Sequence, residues 1–386
     1  MKSLLITNAT LISPEVRIDN AAILVEDGKI AAVYTSSDPL PETDIVYDAA
    51  GNFVLPGFID IHTHGAAGAD VTDESPEAIY TVAKAKLAEG CTSFAPTTLT
   101  LPEDTLAKSM KYVAEYAMTS EYSTAIGVHL EGPYINPSCL GAQNPAFVRS
   151  PDINEVMRLN SIFKVSQVSF AAEVDGGSEF ADACIENGII PSCGHSKATY
   201  AEFAAANKRG LRHLTHFCNQ MTPLHHRDIG LVGAGLLHDD VMIEMICDKI
   251  HLCPEMIRLA FAKKPLNKIA LITDSMRASH LPDGPSSLGG LDVVVKDGQA
   301  RLASNGALAG SVLKMNVALK NVVEVTGLPI EKVVRTTALN QAEELGLGNV
   351  LGKLEPGYQA DIVVLDKNSF DVQRVYIKGI CKSNNA

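Results

Sequence analysis

Short runs of apolar and β-branched residues recur through the middle of the chain roughly every 25 to 40 residues, each closing on polar residues or glycine. In order they are VLPGFIDIH, CTSFAPTTL, TAIGVHL, QVSFAAEV, GIIPSCGH, LRHLTH, VMIEMIC and KIALITD, eight candidate strands. Amphipathic stretches separate them. In the clearest, 75–89, Ser75 stands at the N-cap, Pro76 at the first helical position and Gly90 just past the end. Eight strands alternating with helices predict an α/β chain with a (β/α)8 TIM-type barrel in preference to an open, doubly wound sheet.

The two ends follow a different pattern. Residues 1–52 carry short strands and turns, including ILVEDGKIAAVY, a hairpin signal centred on Asp27 and Gly28. The segment 346–386 contains the strand-like DIVVLDKNSFDVQRVYIKGI. Together they predict a small β-sandwich domain built from both termini, with the barrel, 53–345, inserted between them. After the eighth strand, 282–310 is rich in Gly, Pro and Ser and holds a second hairpin signal, VVVKDGQARL. On a barrel this segment falls at the C-terminal face, where a flap covers an active site.

Composition narrows the function classes. With 386 residues, 46% of them hydrophobic, the chain suits a large barrel plus a small domain. No apolar window reaches the roughly 18 residues of a membrane span, so no membrane partner is expected. The apolar stretch in MKSLLITNATLISPE is too short and polar-interrupted for a signal peptide and is read as a strand. The 8 cysteines are scattered, with no Cys-x-x-Cys pair, which points to reduced thiols in the cytoplasm. A net charge of -13 without a basic block argues against nucleic acid.

The polar residues at the strand ends carry the chemistry. His62 and His64 lie two apart at the end of the first strand, so both point to one face and can converge on an ion; an exposed polar strand end is the plainer alternative. Glu131 ends the third strand before Gly132-Pro133, either as a metal ligand or as a turn acid. His129 shares its face and is either a support for a ligand or a buried barrel-lining residue, the latter preferred. His195 follows strand five and His216 ends strand six; each alone reads equally well as structural. His213, three residues before His216, is expected on the opposite face, packed outside. Asp274, in TDS after strand eight, suits a ligand, a general base or a capping turn. Metal-type ligands at five separate strand ends make a metal-dependent hydrolase the best reading of the set.

These residues lie in motifs that resemble the amidohydrolase superfamily and, within it, the N-acetylglucosamine-6-phosphate deacetylases. The likeness runs through LPGFIDIHTHG, HLEGPYINP, CGHSKA, THFCNQM, RDIGLVGA and LITDSM to GKLEPGYQADIVVLD, nearly the full chain. The first and last motifs mark the superfamily broadly; HLEGPY with THFCNQM is more specific.

The resemblance implies roles by position. Glu131, His195 and His216 match the ligands of a metal site used throughout the family. His62 and His64 match a second site found in some members, with Glu131 bridging and Asp274 as a further ligand and the catalytic base. The fourth strand, VSQVSFAAEV, has no lysine to carry the carboxylated bridge of many relatives. One or two divalent ions are implied, with Zn, Fe, Mn and Co equally suited to His and carboxylate ligands. The implied substrate is a small phosphorylated amino sugar, contacted by Asn219, Gln220 and Leu308. Arg227 and His251 are implied to hold its phosphate from the neighbouring subunit of a homodimer, while His225 and His226 read as a solvated loop. One departure stands out. Gln143 occupies a position where many members carry a histidine that bonds the substrate carbonyl; it can donate a hydrogen bond but cannot titrate. The galactosamine epimer and an inactive, amidohydrolase-like binding protein are the alternative readings.

Overall fold

The structure, a computed structural model, describes residues 2–384. The eight expected strands form at Phe58–Thr63, Cys91–Pro96, Val128–Glu131, Val165–Phe170, Ile190–Cys193, His213–Leu214, Met242–Ile246 and Ile269–Ile272. A helix follows each, from Pro76–Ala88 after the first to Met315–Thr326 after the last. All strand pairs are parallel, in sequence order. Isolated bridges join Thr97 to His129 and Thr63 to Ser275, so the parallel sheet curls until its first and last strands meet. Almost every strand residue is buried, the mark of a parallel sheet covered on both faces.

Local signals account for the helix ends. Thr199 and Glu202 form a reciprocal capping box at the start of Tyr200–Lys208. Ser75 does stand at the N-cap of Pro76–Ala88, but its hydroxyl bonds Glu77 and makes no capping bond.

The chain ends pair with each other. Ile362–Leu365 runs antiparallel to Phe53–Pro56, which pairs with the first strand, Leu4–Ser13. Hydrogen bonds link all the terminal strands into one eight-stranded sheet around its own apolar core, including Ile6, Ile23, Val54 and Ile362. The hairpin forms as expected, with Asp27 and Gly28 both at positive φ, 47° and 76°. The flap segment folds as three antiparallel strands, Gly284–Leu288, Leu291–Lys296 and Gln299–Leu302.

Candidate active site

The C-terminal ends of the curled sheet bring the candidate residues together. His62 lies within the first strand and Glu131 closes the third. His195, His216 and Asp274 each lie two residues beyond a strand end, in left-handed backbone at φ 48°, 27° and 49°. That conformation costs a residue bearing a β-carbon roughly 1–2 kcal/mol and persists only where its surroundings hold it. Here the backbone is pinned on both sides: Asp274 N–H donates to His62 O over 2.9 Å, and Ser311 N–H donates to Asp274 O over 2.7 Å.

The side chains converge on Glu131. Its Oε1 lies 3.0 Å from His216 Nε2 and 3.3 Å from both His195 Nε2 and His62 Nε2. Its Oε2 lies 3.3 Å from His64 Nε2. Asp274 Oδ1 is 3.1 Å from His64 Nε2 and 3.5 Å from His62 Nε2. Two groupings that could hold a metal ion therefore share one carboxylate: Glu131, His195, His216, and His62, His64, Glu131.

The donor chemistry fits divalent ions. Three histidines spend Nδ1 on fixed partners: His62 on Glu244 at 2.9 Å, His64 on Thr97 O at 3.2 Å and His195 on Cys139 O at 2.7 Å. Each thereby presents Nε2 to the cluster, the tautomer a metal ligand needs. His62 Nε2 is buried without a hydrogen-bond partner. Burial opposes charge throughout, yet Asp274, Glu131 and Glu244 hold the His62 imidazole well above its ordinary pKa, and Asp274 and Glu131 bring His64 up to about 10. Burial would likewise raise the Glu131 carboxyl, but His62, His195 and His216 hold it well below the usual range. A field that favours protons on buried imidazoles favours a divalent cation in their place.

Above the cluster is a cavity of roughly 330 Å³ lined by His64, Glu131, His195, His216 and Asp274, and also by Gln143, Asn219, Gln220, His251 and Leu308. His251 faces the cavity of its own chain, with Nδ1 held by Asp248 at 2.7 Å. Arg227 does not line it; it lies exposed beside His225 and His226 and bonds His226. Gln143 turns its amide onto Glu131. His213 requires a correction. It is buried inside, with Nε2 3.1 Å from Glu244 and Nδ1 3.4 Å from Glu344. Strand alternation stops at Leu214 and His216 has positive φ, so counting back from His216 crosses a break in the period. His129 is fully buried and bonds Ser169, in keeping with a barrel-lining role.

Sequence reasoning missed Glu244 and Arg301. Glu244 is fully buried; it holds His62 and accepts from Gln167 Nε2 over 2.6 Å and from His216 N–H over 3.2 Å. The available signal was an acid inside the apolar strand VMIEMIC. Arg301, on the flap, lines the cavity opposite Leu308, to which it is bridged.

Comparison with known proteins identifies the family. The family model described as "Amidohydrolase family" matches residues 53–381. An N-acetylglucosamine-6-phosphate deacetylase of Lysinibacillus sphaericus is 35% identical over 95% of this chain and 94% of its own. An N-acetylgalactosamine-6-phosphate deacetylase of Escherichia coli O157:H7 is 36% identical over 96% of each. Among solved structures, a mutant N-acetyl-D-glucosamine-6-phosphate deacetylase from Mycobacterium smegmatis, in complex with N-acetyl-D-glucosamine-6-phosphate, matches with a TM-score of 0.92 at 28% identity, covering 100% of both chains. With matching motifs, a full-length match to relatives and a shared architecture, this chain belongs to the amidohydrolase family.

Proposed function

We propose that this chain hydrolyses the acetamide of N-acetylglucosamine 6-phosphate, giving glucosamine 6-phosphate and acetate. The observation that carries the reading is the pair of ligand groupings sharing Glu131 at the floor of one cavity, with Asp274 beside them. Glu131, His195 and His216 would hold one divalent ion, and His62, His64 and Glu131 a second, with Asp274 as a further ligand. Such ions lower the pKa of water and polarise an amide carbonyl. Asp274, kept in its carboxylate form by His62 and His64 against the effect of burial, takes the proton of the attacking water and delivers it to the departing amine. Asn219, Gln220 and Leu308 contact the sugar. His251 offers Nε2 to the phosphate, since its Nδ1 is engaged by Asp248.

Arg227 fits the phosphate role only from a second subunit, because it does not line its own cavity; we therefore take the working form to be a homodimer, in the cytoplasm. We read the curled sheet as a (β/α)8 barrel and the two chain ends as its accessory domain; Phe53–Pro56, expected in the barrel, pairs with the terminal strands, which moves that boundary from 53 to about 57.

The relative from Escherichia coli O157:H7, named for the galactosamine epimer, makes that sugar phosphate the second candidate. Acetate release from both epimeric 6-phosphates, measured with metal content on the same sample, tests the proposal. Release from the glucosamine form at the higher kcat/KM is expected. No release from either epimer by metal-loaded protein would defeat it.

A further inference from the structure

The two oxygens of Glu131 meet different surroundings. Oε1 faces Nε2 of His62, His195 and His216, all at 3.0–3.3 Å. Oε2 faces His64 Nε2 at 3.3 Å and also receives the side-chain amide of Gln143. Which end of that amide faces Glu131 is decided elsewhere. The Thr100 backbone N–H donates to Gln143 Oε1 over 2.7 Å, so the group on Glu131 must be the NH2 donor. Thr100 is itself wedged against the residue after Glu131: a β-carbon on Gly132 would lie 2.3 Å from Thr100 Oγ1. Glu131, Gly132, Thr100 and Gln143 thus close a ring of contacts, in which Gln143 is only 4% exposed.

We propose that Gln143 is a positioning residue that holds the Glu131 carboxylate with one oxygen toward His195 and His216 and the other toward His64, the orientation in which one carboxylate serves both ligand groupings. The inference rests on the metal-site reading given above. A neutral amide suits this role because it donates one hydrogen bond, adds no charge and does not titrate, leaving Oε2 a lone pair for a ligand role. Freed from the amide, the carboxylate can rotate and satisfy one grouping at the expense of the other. With its oxygen engaged by Thr100 and one of its two N–H donors by Glu131, Gln143 keeps only the second N–H for a substrate carbonyl.

The test uses the full chain, stripped and reloaded with Zn2+ or Co2+ alone. Gln143→Leu and the more nearly isosteric Gln143→Met remove the donor; Gln143→His keeps one. Metal per chain, affinity by chelator competition and the visible spectrum of the Co2+ form are read without substrate. For the Leu and Met variants the expected result is an affinity for the weaker ion reduced about 10–100-fold, as for other partners of metal ligands, and an altered Co2+ spectrum. Gln143→His should recover most of the affinity, and KM should stay within about twofold of the parent. Parental affinity and spectrum in both Leu and Met variants, with KM raised instead, would make Gln143 a substrate contact and overturn the proposal. So would a His variant as impaired as Leu, since volume rather than the donor would then matter. A parent chain that takes up no divalent ion would defeat the proposed function and this role together; a parent that takes up ions while the variants match it defeats only the role of Gln143.

Discussion

His62 Nδ1 donates to Glu244 Oε2 over 2.9 Å, and both residues are completely buried. Every partner of Glu244 in this network is a donor: His62 Nδ1, the His216 backbone N–H, Gln167 Nε2 and His213 Nε2. Only a carboxylate offers enough lone pairs to accept all four. In Glu244→Gln, an NH2 group must face at least one of these donors. Metal affinity should fall about 10–100-fold and the melting temperature should drop. Parental values for both, by chelator competition and calorimetry, would show that the contact does not orient His62.

Asp274 pairs with His62 and His64 in the cluster. Asp274→Asn should therefore keep an ion at Glu131, His195 and His216 while turnover falls about 10²–10⁴-fold, the usual scale for losing a general base. Metal analysis alongside single-turnover rates checks this; full activity would remove Asp274 as the base.

His213 ties stability to pH. Burial pushes its imidazole down, but hydrogen bonds to Glu244 and Glu344 outweigh that and bring the pKa up to about 9 from 6.5. A pKa raised on folding means the folded form binds the proton more tightly, so the stabilisation is complete below pH 6.5 and is lost as pH rises through about 9. The stability gap between the parent and His213→Gln should be on the order of 3 kcal/mol at low pH and shrink above that range. Urea titrations across the interval measure it; a pH-independent gap would contradict the assignment.

The cavity and the 225–228 loop make different predictions about phosphate. Arg227→Ala should raise KM for the phosphorylated sugar about 10-fold or more, the scale of a lost charge-assisted hydrogen bond, with little effect on the unphosphorylated sugar. Because Arg227 does not line its own cavity, the effect should disappear in a dilute, monomeric sample. Arg301→Ala, on the flap of the same chain, should act at any concentration. Equal effects of Arg227→Ala on both sugars would rule out its phosphate role.

The residue pattern alone is enough to say which polar residues stand at or just beyond the strand ends. The strand order, the paired spacing of His62 and His64 and the hairpin at Asp27-Gly28 follow from local periodicity, which records what neighbours along the chain share. What lies between strands is legible only in the folded chain. Glu244 reaches His62, 182 residues away, because the sheet curls back on itself. His213 points inward because a left-handed residue at His216 breaks the alternation that would have sent it outside. Gln143, set apart in the sequence by its chemistry, meets Glu131 and Thr100 through a loop whose path no periodicity encodes. Contacts of this kind depend on how the ends of the sheet close and where the loops return, and a one-dimensional pattern carries no record of either.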